Sequence, residues 1–314
     1  MRKIILFIVL FCQLSFGQGW NNTVTTSINE PNLEKMDLFT NASGNHVLIK
    51  RTNGDIVYYR MNSQGSVTRN LTLANNGDFP NIVGTNDIII AIYKVGNQIT
   101  GKYSLTNGLG WTSLPNNITT TGNLCNGIDA VFEEGVSGGV HLVWATRDDY
   151  PNFKTYYSRQ RTSDLQWVES QNVTSHTSAP WGGEPKVAIS PSRVHVSFNT
   201  NYFDVTYTSG NVKTRDRLNG VWQTPQTPVS GSEGSIEENL AIRGNTFYLF
   251  YARENLGSPI TNDLYYRTRS VSGTSWSSPI LLAYTLNQFG NAFRVCKTED
   301  DKIHLISDGE YIIM

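Results

Sequence analysis

A short phrase that opens with Trp recurs along this 314-residue chain and constrains its fold more than any other feature. Each copy continues with small and β-branched residues, as in GWTSLPNNIT and QWVESQNVT. The copies begin at Trp20, Trp111, Trp167, Trp222 and Trp276. The last four are 56, 55 and 54 residues apart, and the 91 residues that separate the first two leave room for a degenerate copy at Val67. Such a period predicts repeated units that pack side by side.

The third repeat shows four short segments in a fixed order, each with the pattern of a β-strand. They are IDAVF from Ile128, VHLVW from Val140, TYYSRQR from Thr155 and WVESQNVT from Trp167. Gly, Asn, Asp, Ser and Pro separate them, which is typical of strands joined by hairpin turns. No segment after the first twenty residues keeps a helical period. The sequence therefore predicts an all-β chain.

The apolar second strand of each repeat allows the repeats to be counted. These strands begin at His46, Asp87, Val140, Val194, Phe247 and Ile303. The sixth repeat reaches Met314 without a Trp strand, whereas the Trp20 phrase has no repeat before it. We therefore predict a six-bladed β-propeller whose last blade is completed by the N-terminal strand. This closure would remove two exposed sheet edges.

The first 18 residues have the layout of a secretory signal peptide. Arg2 and Lys3 precede an apolar run over 4–11 that is too short to span a bilayer. We predict residues 1–18 as the signal peptide and 19–314 as one propeller domain. After cleavage the protein is expected to be secreted, or to stay at the cell surface or in the periplasm, without membrane insertion.

Composition narrows the class of partner. The net charge is -1, the pI is about 6.5, and no basic stripe is present, so nucleic acid is not expected. The chain has 15 Tyr and 7 Trp, and sugar rings stack on such side chains while sugar hydroxyls bind polar groups. A glycan or cell-surface polysaccharide is the expected partner, with a protein as the alternative. No cofactor or metal is expected, because no zinc, calcium or phosphate motif occurs.

Two segments are similar to a turn motif of a known family. TSDLQW from Thr162 to Trp167 and SGTSW from Ser272 to Trp276 resemble the Asp-box, Ser-x-Asp-x-Gly-x-x-Trp, and Tyr-Tyr-Arg phrases precede them. The chain therefore resembles the sialidase-like, BNR-repeat family of six-bladed propellers. In that family the box is a folding turn remote from the active site, so the resemblance implies architecture rather than chemistry.

The family's sialidases hold the substrate carboxylate with three Arg and use a Tyr/Glu pair as nucleophile and an Asp as acid/base. The first Arg lies in a Phe/Tyr-Arg-Ile-Pro phrase on the first blade, where this chain has Met36–Phe39. Phe293-Arg294-Val295 resembles the phrase, but on a later blade and without the Pro. Sialidase activity is therefore not the expected function.

Candidate site residues concentrate at one edge of every predicted sheet. This loop edge carries the loops that enter each innermost strand and those that join the second and third strands. Asp78 and Arg51 lie there in the first two repeats. The candidate ligand-binding residues are Trp181, Arg147, Asp149, Tyr150, Tyr202, Arg253 and Arg294. The candidate catalytic residues are Glu184, Glu237, Glu238 and His176.

These residue types allow more than one function. Trp181, between Pro and two Gly, is either a stacking platform for a sugar or a plug of the channel. The arginines either bind an anionic group in pairs or form ion pairs with nearby carboxylates. Glycoside cleavage needs two carboxyl groups about 5 to 9 Å apart, a distance that a sequence does not give.

Three hypotheses follow from these observations. We favour an exported, lectin-like propeller that binds carbohydrate without turnover. The alternative is a carbohydrate-active enzyme, either a glycoside hydrolase that uses Glu184 with Glu237 or Glu238, or a polysaccharide lyase that uses His176 or a loop Tyr. The third is a protein-interaction scaffold with a filled channel mouth.

Four histidines occupy one equivalent position at the start of the second strand. They are His46, His141, His195 and His304. Repetition at one position predicts a structural role, such as a hydrogen bond to the neighbouring turn, because the repeats would hold the rings too far apart for one metal.

Overall fold

A computed structural model describes most of the chain between residues 28 and 313. The described residues are 28, 30–119, 125–135, 138–149, 152–176, 185–200, 211–230, 237–255, 261–286, 293–297, 303–307 and 310–313. Within these ranges the regular structure consists of β-strands, and no helix is present. In this part of the chain no helix could therefore cross a membrane. The prediction of an all-β chain is confirmed.

The strands form antiparallel sheets in sequence order. The first sheet contains β1 (Leu33–Asn41), β2 (Gly44–Arg51), β3 (Ile56–Met61) and β4 (Val67–Ala74). The second contains β5 (Gly77–Gly84), β6 (Ile89–Val95), β7 (Gln98–Ser104), β8 (Thr112–Ser113) and β9 (Ile118–Thr119). The third contains β10 (Cys125–Glu133), β11 (Gly139–Asp149), β12 (Asn152–Arg161) and β13 (Trp167–His176).

Three more sheets follow along the chain. The fourth contains β14 (Lys186–Ser190), β15 (Arg193–Thr200), β16 (Asn211–Leu218), β17 (Val221–Trp222) and β18 (Gln226–Val229). The fifth contains β19 (Glu237–Arg243), β20 (Thr246–Asn255), β21 (Thr261–Ser270) and β22 (Ile280–Leu286). The last contains β23 (Phe293–Lys297), β24 (Ile303–Ser307) and β25 (Glu310–Ile313). All six predicted second strands are therefore present within the described residues.

Two strand predictions need correction. Trp276 begins no strand, because the segment before β22 is irregular and Trp276 packs against Phe247 instead. His176 is the last residue of β13 and not part of a loop. Closure by the Trp20 strand stays a prediction, because that strand lies outside the described residues.

The chain divides into two compact units. Unit 1 comprises 1–121, 132–140 and 159–168, and unit 2 comprises 122–131, 141–158 and 169–314. Unit 1 holds the first two sheets, and unit 2 holds the fourth, fifth and sixth. The prediction of one domain over 19–314 stays a prediction.

In unit 1 the strand β2 shows why these sheets have two buried faces. Val47, Leu48 and Ile49 are all fully buried, although neighbouring residues of a strand point to opposite faces. Val47 and Ile49 belong to one apolar cluster and Leu48 to another, which also contains Ile82 of β5. Burial of an aliphatic side chain stabilises a fold by about 1.5–3 kcal/mol, so each such strand contributes on both faces.

The repeated Trp residues join neighbouring sheets of unit 2 through their indole groups. Trp222 donates from Nε1 to Oε1 of Gln171 at 2.7 Å, and Trp276 donates to Oε1 of Gln226 at 2.9 Å. Each Gln stands four positions after a Trp of its own repeat, Trp167 or Trp222. At Trp167 and Trp222 the Trp-x-x-x-Gln spacing therefore provides a link from one outer strand to the next.

Aromatic contacts support the same links. The ring of Trp111 meets Tyr58 edge to face at 4.8 Å in unit 1, and Trp222 meets Tyr157 in the same way at 5.3 Å in unit 2. Such pairs contribute about 0.5–1.5 kcal/mol beyond their buried area. These Trp residues therefore pack the sheets and do not form a binding surface.

Two aspartates of the innermost strands also have structural roles. Asp37 of β1 accepts a hydrogen bond at Oδ2 from the Ile82 amide, at 2.7 Å. Asp129 of β10 accepts one from the Val187 amide at the same distance. In both cases the carboxylate accepts a hydrogen bond from a backbone amide in the innermost strand of the following sheet. These aspartates therefore connect the innermost strands of neighbouring sheets.

The predicted structural role of the histidines is confirmed for two of them. His46 is fully buried, and its Nε2 lies 3.1 Å from Oδ1 of Asn41 in the adjacent turn. His195 Nε2 lies 3.2 Å from Oγ of Ser190, again in the turn before the second strand. Burial, together with the charge of Arg60, lowers the pKa of His46 to about 4, so this ring is neutral at pH 7.

Candidate functional site

A polar cleft lies at the loop edge of the two sheets of unit 1. It has a volume of about 380 Å³ and is open to solvent. It is lined by Lys50, Thr52, Asn53, Gly54, Asn76, Gly77, Asp78, Lys94 and Gly96. We call it the Lys50 cleft. Its walls are the ends of β2 and β6, the turn after β2 and the start of β5, which are the elements that the sequence assigned to the loop edge.

Two turns form the floor of the Lys50 cleft. The Gly77 amide donates to the Gly54 carbonyl at 2.7 Å and ties the turns together. Gly54 and Asn76 both have positive φ angles, 86° and 55°, which Gly and Asn tolerate best. A Cβ atom on Gly77 would stand 2.3 Å from Cγ1 of Ile56, so only glycine fits there.

The charged groups of the Lys50 cleft are arranged around Asp78. Lys35 Nζ lies 3.3 Å and Lys50 Nζ 3.2 Å from Oδ1 of Asp78, and Lys50 also pairs with Glu34 at 2.8 Å. Burial raises the pKa of Asp78, but the charge of Lys35, the Phe79 amide and Lys50 lower it more, so it lies below its usual value. Asp78 is therefore ionised at neutral pH and cannot serve as a general acid.

Beside Asp78 an aromatic ring reaches the surface. Phe79 is half-buried, and Lys35 Nζ stands 3.6 Å from its ring centroid. Its φ angle is 51°, in the left-handed region that non-glycine residues rarely adopt. The Phe79 amide donates to Asp78 Oδ1 at 2.7 Å, which helps to hold this conformation. Such backbone strain tends to collect at functional sites.

Lys94 supplies the remaining charge of the Lys50 cleft. It stands opposite Asp78 in the β5–β6 register. Within the described ranges no carboxylate lies at salt-bridge distance from its ammonium group. Lys50 is already balanced by Glu34 and Asp78, so Lys94 is the cation in the cleft that remains available to a solute.

Arg51 belongs to the same loop edge but is held by the fold. Its Nε donates to Glu30 at 2.9 Å, and the Tyr59 hydroxyl also bonds to Glu30. Burial raises the pKa of Glu30, but the hydrogen bond with Arg51 has the larger, opposite effect, and the pKa is lowered overall. Arg51 therefore anchors the segment before β1 and is not available for a ligand.

In unit 2 the structure places three acidic or basic residues at the loop edge of the fifth sheet. Glu238 is buried, at 2% exposure, and is the second residue of β19. Arg253 is half-buried, stands opposite Asp263 in the β20–β21 register, and lies 6.0 Å from the Tyr265 ring centroid. The structure therefore places the candidates Glu238 and Arg253 at the same edge of the fifth sheet, and their role in a site stays a prediction.

Several candidates lie at strand ends and not in loops. Arg147 and Asp149 belong to β11, and Arg253 belongs to β20. The cause is visible in the fifth sheet, where the hairpin continues through polar cross-strand pairs, Arg253 with Asp263 and Asn255 with Thr261. The predicted loops are therefore shorter than the sequence indicated.

Most candidate side chains lie outside the described part of the structure. Trp181, Glu184, Tyr150 and Tyr202 are outside the described residues. For Arg147, Asp149, His176, Glu237 and Arg294 the structure gives the strand but not the side chain. Their roles stay predictions. Sequence reasoning missed Lys50, Lys94 and Phe79, although the Asn-Gly turn before Asp78 marked the place.

The chain is similar to known proteins in structure but not detectably in sequence. No family model and no curated protein matches the chain. It is similar to a protein of unknown function from Dyadobacter fermentans DSM 18053, at 12% identity, with 90% of this chain and 93% of that chain covered and a TM-score of 0.62. It is also similar to an ulvan lyase from a new family of polysaccharide lyases, at 10% identity, 88% and 77% coverage, and a TM-score of 0.57.

A third similar structure is an α-L-arabinanase from Penicillium chrysogenum in complex with arabinobiose. The identity is 10%, the coverage is 76% of this chain and 77% of that chain, and the TM-score is 0.52. Likeness at these identities shows the fold, which is the all-β propeller fold. The propeller prediction is thereby confirmed as a fold class, while the number of blades stays a prediction.

Proposed function

We propose that this protein is a carbohydrate-active propeller that binds a polysaccharide at the loop edge of its sheets and cleaves it. The Lys50 cleft carries the proposal, because its amide, hydroxyl, ammonium and carboxylate groups offer both donors and acceptors to sugar hydroxyls. The likeness to a polysaccharide lyase and an α-L-arabinanase supports a carbohydrate substrate.

Binding and cleavage fall to different residues in this proposal. Asn53, Asn76 and Lys94 hold the saccharide in the Lys50 cleft. Asp78 orients hydroxyl groups as a fixed acceptor, since its lowered pKa leaves it no proton to donate. For cleavage, the candidate catalytic residues of unit 2 would form a site of their own. They are Glu184 with Glu237 or Glu238 for a hydrolase, or His176 or a loop Tyr for a lyase.

A lectin-like protein without turnover is the second candidate. The observation that favours it is the ion pairing of Asp78 with two lysines, because a cleft whose carboxylate is ionised at neutral pH can bind a sugar but cannot protonate a leaving group at that pH. The departure from the sialidase phrase at Met36–Phe39 favours it too.

We also propose that the sheets form a six-bladed ring that the Trp20 strand closes. The chain would then be a sialidase-like propeller, exported after cleavage of residues 1–18. The supports are the regular repeat, the Asp-box-like turns at Thr162 and Ser272, and the charged and apolar pattern of the first residues.

The test is a panel of neutral and acidic polysaccharides incubated with the purified protein. Binding is followed by affinity electrophoresis, and cleavage by new reducing ends and by the ultraviolet absorbance of unsaturated products. Reducing ends alone would identify a hydrolase, and unsaturated ends a lyase. Binding with an intact polymer would establish the lectin instead.

A matched pair of variants locates the binding. Lys94→Ala removes the available cation of the Lys50 cleft, whereas Lys102→Ala removes a half-buried lysine of β7 that does not line it. We expect only Lys94→Ala to weaken binding, by about tenfold if one charge-assisted contact is lost. No binding to any polysaccharide would overturn the proposal.

A further inference from the structure

A second cavity of about 380 Å³ lies in unit 2, at the edge of the fourth sheet opposite its loop edge. The residues that line it include Arg193, Thr214, Asp216, Leu218, Pro225 and Gln226. We call it the Thr214 cavity. It is formed by the turn that begins β15, the end of β16, and the Ser272–Thr274 turn of the fifth sheet.

A break in the outer strand creates the Thr214 cavity. Both β17 and β18 pair with β16, and the residues between them bulge away from it. The Gln223 amide still reaches the Asp216 carbonyl at 2.8 Å, and Gln226 resumes the pairing opposite Thr214. Pro225, which has no amide hydrogen, lies between these bonds and leaves the ladder open beside Thr214.

The charged groups of the Thr214 cavity are rigid and balanced. Arg193 Nη1 lies 3.2 Å from Asp216 Oδ2, and Arg193 Nη2 donates to the Ser272 carbonyl at 3.2 Å. Asp216 also accepts from Arg269 Nη2 at 2.6 Å and lies 2.9 Å from His195 Nδ1. One positive and one negative group therefore line the cavity, and each is held by hydrogen bonds and ion pairs.

Thr214 lines the cavity and carries a hydroxyl that the protein leaves unsatisfied. The residue is 1% exposed, and among the described residues its hydroxyl has no hydrogen-bond partner. The hydroxyl of Ser197, directly opposite in the β15–β16 register, is also buried without a partner. A buried hydroxyl without a partner costs stability, and native proteins keep few of them.

We propose that the Thr214 cavity binds one neutral sugar residue. Its lining has no net charge and carries hydroxyl, amide, guanidinium and carboxylate groups, so it can both donate to and accept from a ligand that is itself a donor and an acceptor. Leu218 and Pro225 provide apolar surface for the C–H groups of a ring. The volume lies at the lower end of the range of about 300–1,000 Å³ for small-molecule sites.

The choice of a sugar as the ligand rests on the proposed function, whereas the cavity itself is an independent observation. The Thr214 cavity shares no residue with the Lys50 cleft. In a protein that acts on a polysaccharide, such a site would hold a second sugar of the polymer away from the cleavage site.

The test compares two variants with the same chemistry. Thr214→Val removes the unsatisfied hydroxyl of a residue that lines the cavity, at nearly constant volume. Thr146→Val removes another buried hydroxyl without a partner in the described structure, on β11 and away from the cavity. The probes are the methyl glycosides of glucose, galactose, mannose and xylose, titrated by calorimetry and by ligand-observed NMR.

We expect at least one methyl glycoside to bind the wild type, Thr214→Val to weaken that binding at least fivefold, and Thr146→Val to leave it unchanged. Both variants should melt at or above the wild-type temperature, because each removes an unsatisfied hydroxyl, so a loss of binding is not a loss of folding. Arg193→Lys should weaken binding too.

Three results would overturn the inference. They are no binding of any methyl glycoside, equal weakening by the two Val variants, and a crystal structure at saturating glycoside with only water at the Thr214 hydroxyl. Polysaccharide cleavage should survive in Thr214→Val. If no polysaccharide is bound or cleaved while glycoside binding still depends on Thr214, the proposed function is wrong, but the proposal that the Thr214 cavity binds a sugar is retained.

Discussion

Asp78 and Asp216 are both held by two cations, yet they have different roles. Asp78 lies in the Lys50 cleft with 34% of its side chain exposed, whereas Asp216 is 10% exposed between Arg193 and Arg269. The cations of Asp78 are Lys35, which is 33% exposed, and Lys50, which is 12% exposed. Arg269, in contrast, is fully buried and lies over the Phe247 ring, 4.7 Å from its centroid. The same charge pattern therefore lines an open polar cleft in one place and forms part of the core in the other.

Asp216→Ala should give the largest loss of stability. It leaves the buried guanidinium of Arg269 without its carboxylate, and the loss of one partner of a buried ion pair costs about 3–5 kcal/mol. The free energy of unfolding, measured by urea denaturation, should fall by this amount. Asp87→Ala, at an exposed turn, is the control and should change it by less than about 0.5 kcal/mol. Equal effects of the two substitutions would refute the contrast.

The neutral state of His46 predicts a loss of stability in acid. Its pKa is about 4 in the folded protein and about 6.5 when unfolded, so the unfolded chain binds the extra proton between these values. The contribution of the neutral His46 ring to the free energy of unfolding is present above about pH 6.5 and falls by about 3 kcal/mol as the pH drops to 4. Burial lowers the pKa of His195 too, so protonation of His195 should also lower the free energy of unfolding in acid.

His46→Gln isolates this contribution. The variant loses the bond to Tyr58 and should be less stable at pH 7, yet it should lose less stability than the wild type between pH 6.5 and 4. Urea denaturation at four or five pH values gives the comparison. Parallel curves for the two proteins would show that His46 is not the titrating group.

Gly77→Ala should lower the stability of the protein and distort the turn that forms the floor of the Lys50 cleft. The new methyl group meets Ile56 at 2.3 Å, and overpacking of this kind costs about 1–3 kcal/mol. Gly96→Ala is the control for space, because nothing lies within 4 Å of a Cβ at that position, although its φ of 58° adds backbone strain. Gly77→Ala should also weaken polysaccharide binding, and unchanged stability and binding would contradict the geometry.

Asp78→Ala should have the smallest effect on stability. The ion pairs are partly exposed and screened by solvent, so their loss costs about 1 kcal/mol or less, and the cost should shrink in high salt. Binding at the Lys50 cleft should fall more than stability does. A loss as large as that of Asp216→Ala would remove the distinction between the two aspartates.

The strands could be predicted from the sequence because their burial repeats. The second strand of the first repeat is buried on both faces, as Val47 to Ile49 show, and the Trp-x-x-x-Gln spacing marks two of the outer strands, at Trp167 and Trp222. The start of β22 could not be predicted, since the Trp276 phrase packs its ring without forming a ladder.

The sites were harder to predict. Asp78 could be found because it follows an Asn-Gly turn, but Lys94 meets it only through the β5–β6 register, which the sequence does not state. The Thr214 cavity depends on a bulge at Pro225 and on a turn that begins 47 residues later, at Ser272, so no local pattern reveals it.

Hydrogen–deuterium exchange with a bound oligosaccharide tests the central claim most directly. The probe is an oligosaccharide cut from the polysaccharide of the panel that binds best. The account predicts slower exchange of the turn amides at 52–54 and 76–78, which line the Lys50 cleft, and a smaller slowing in Lys94→Ala at the same oligosaccharide concentration. Binding that leaves these turns unprotected would contradict the account.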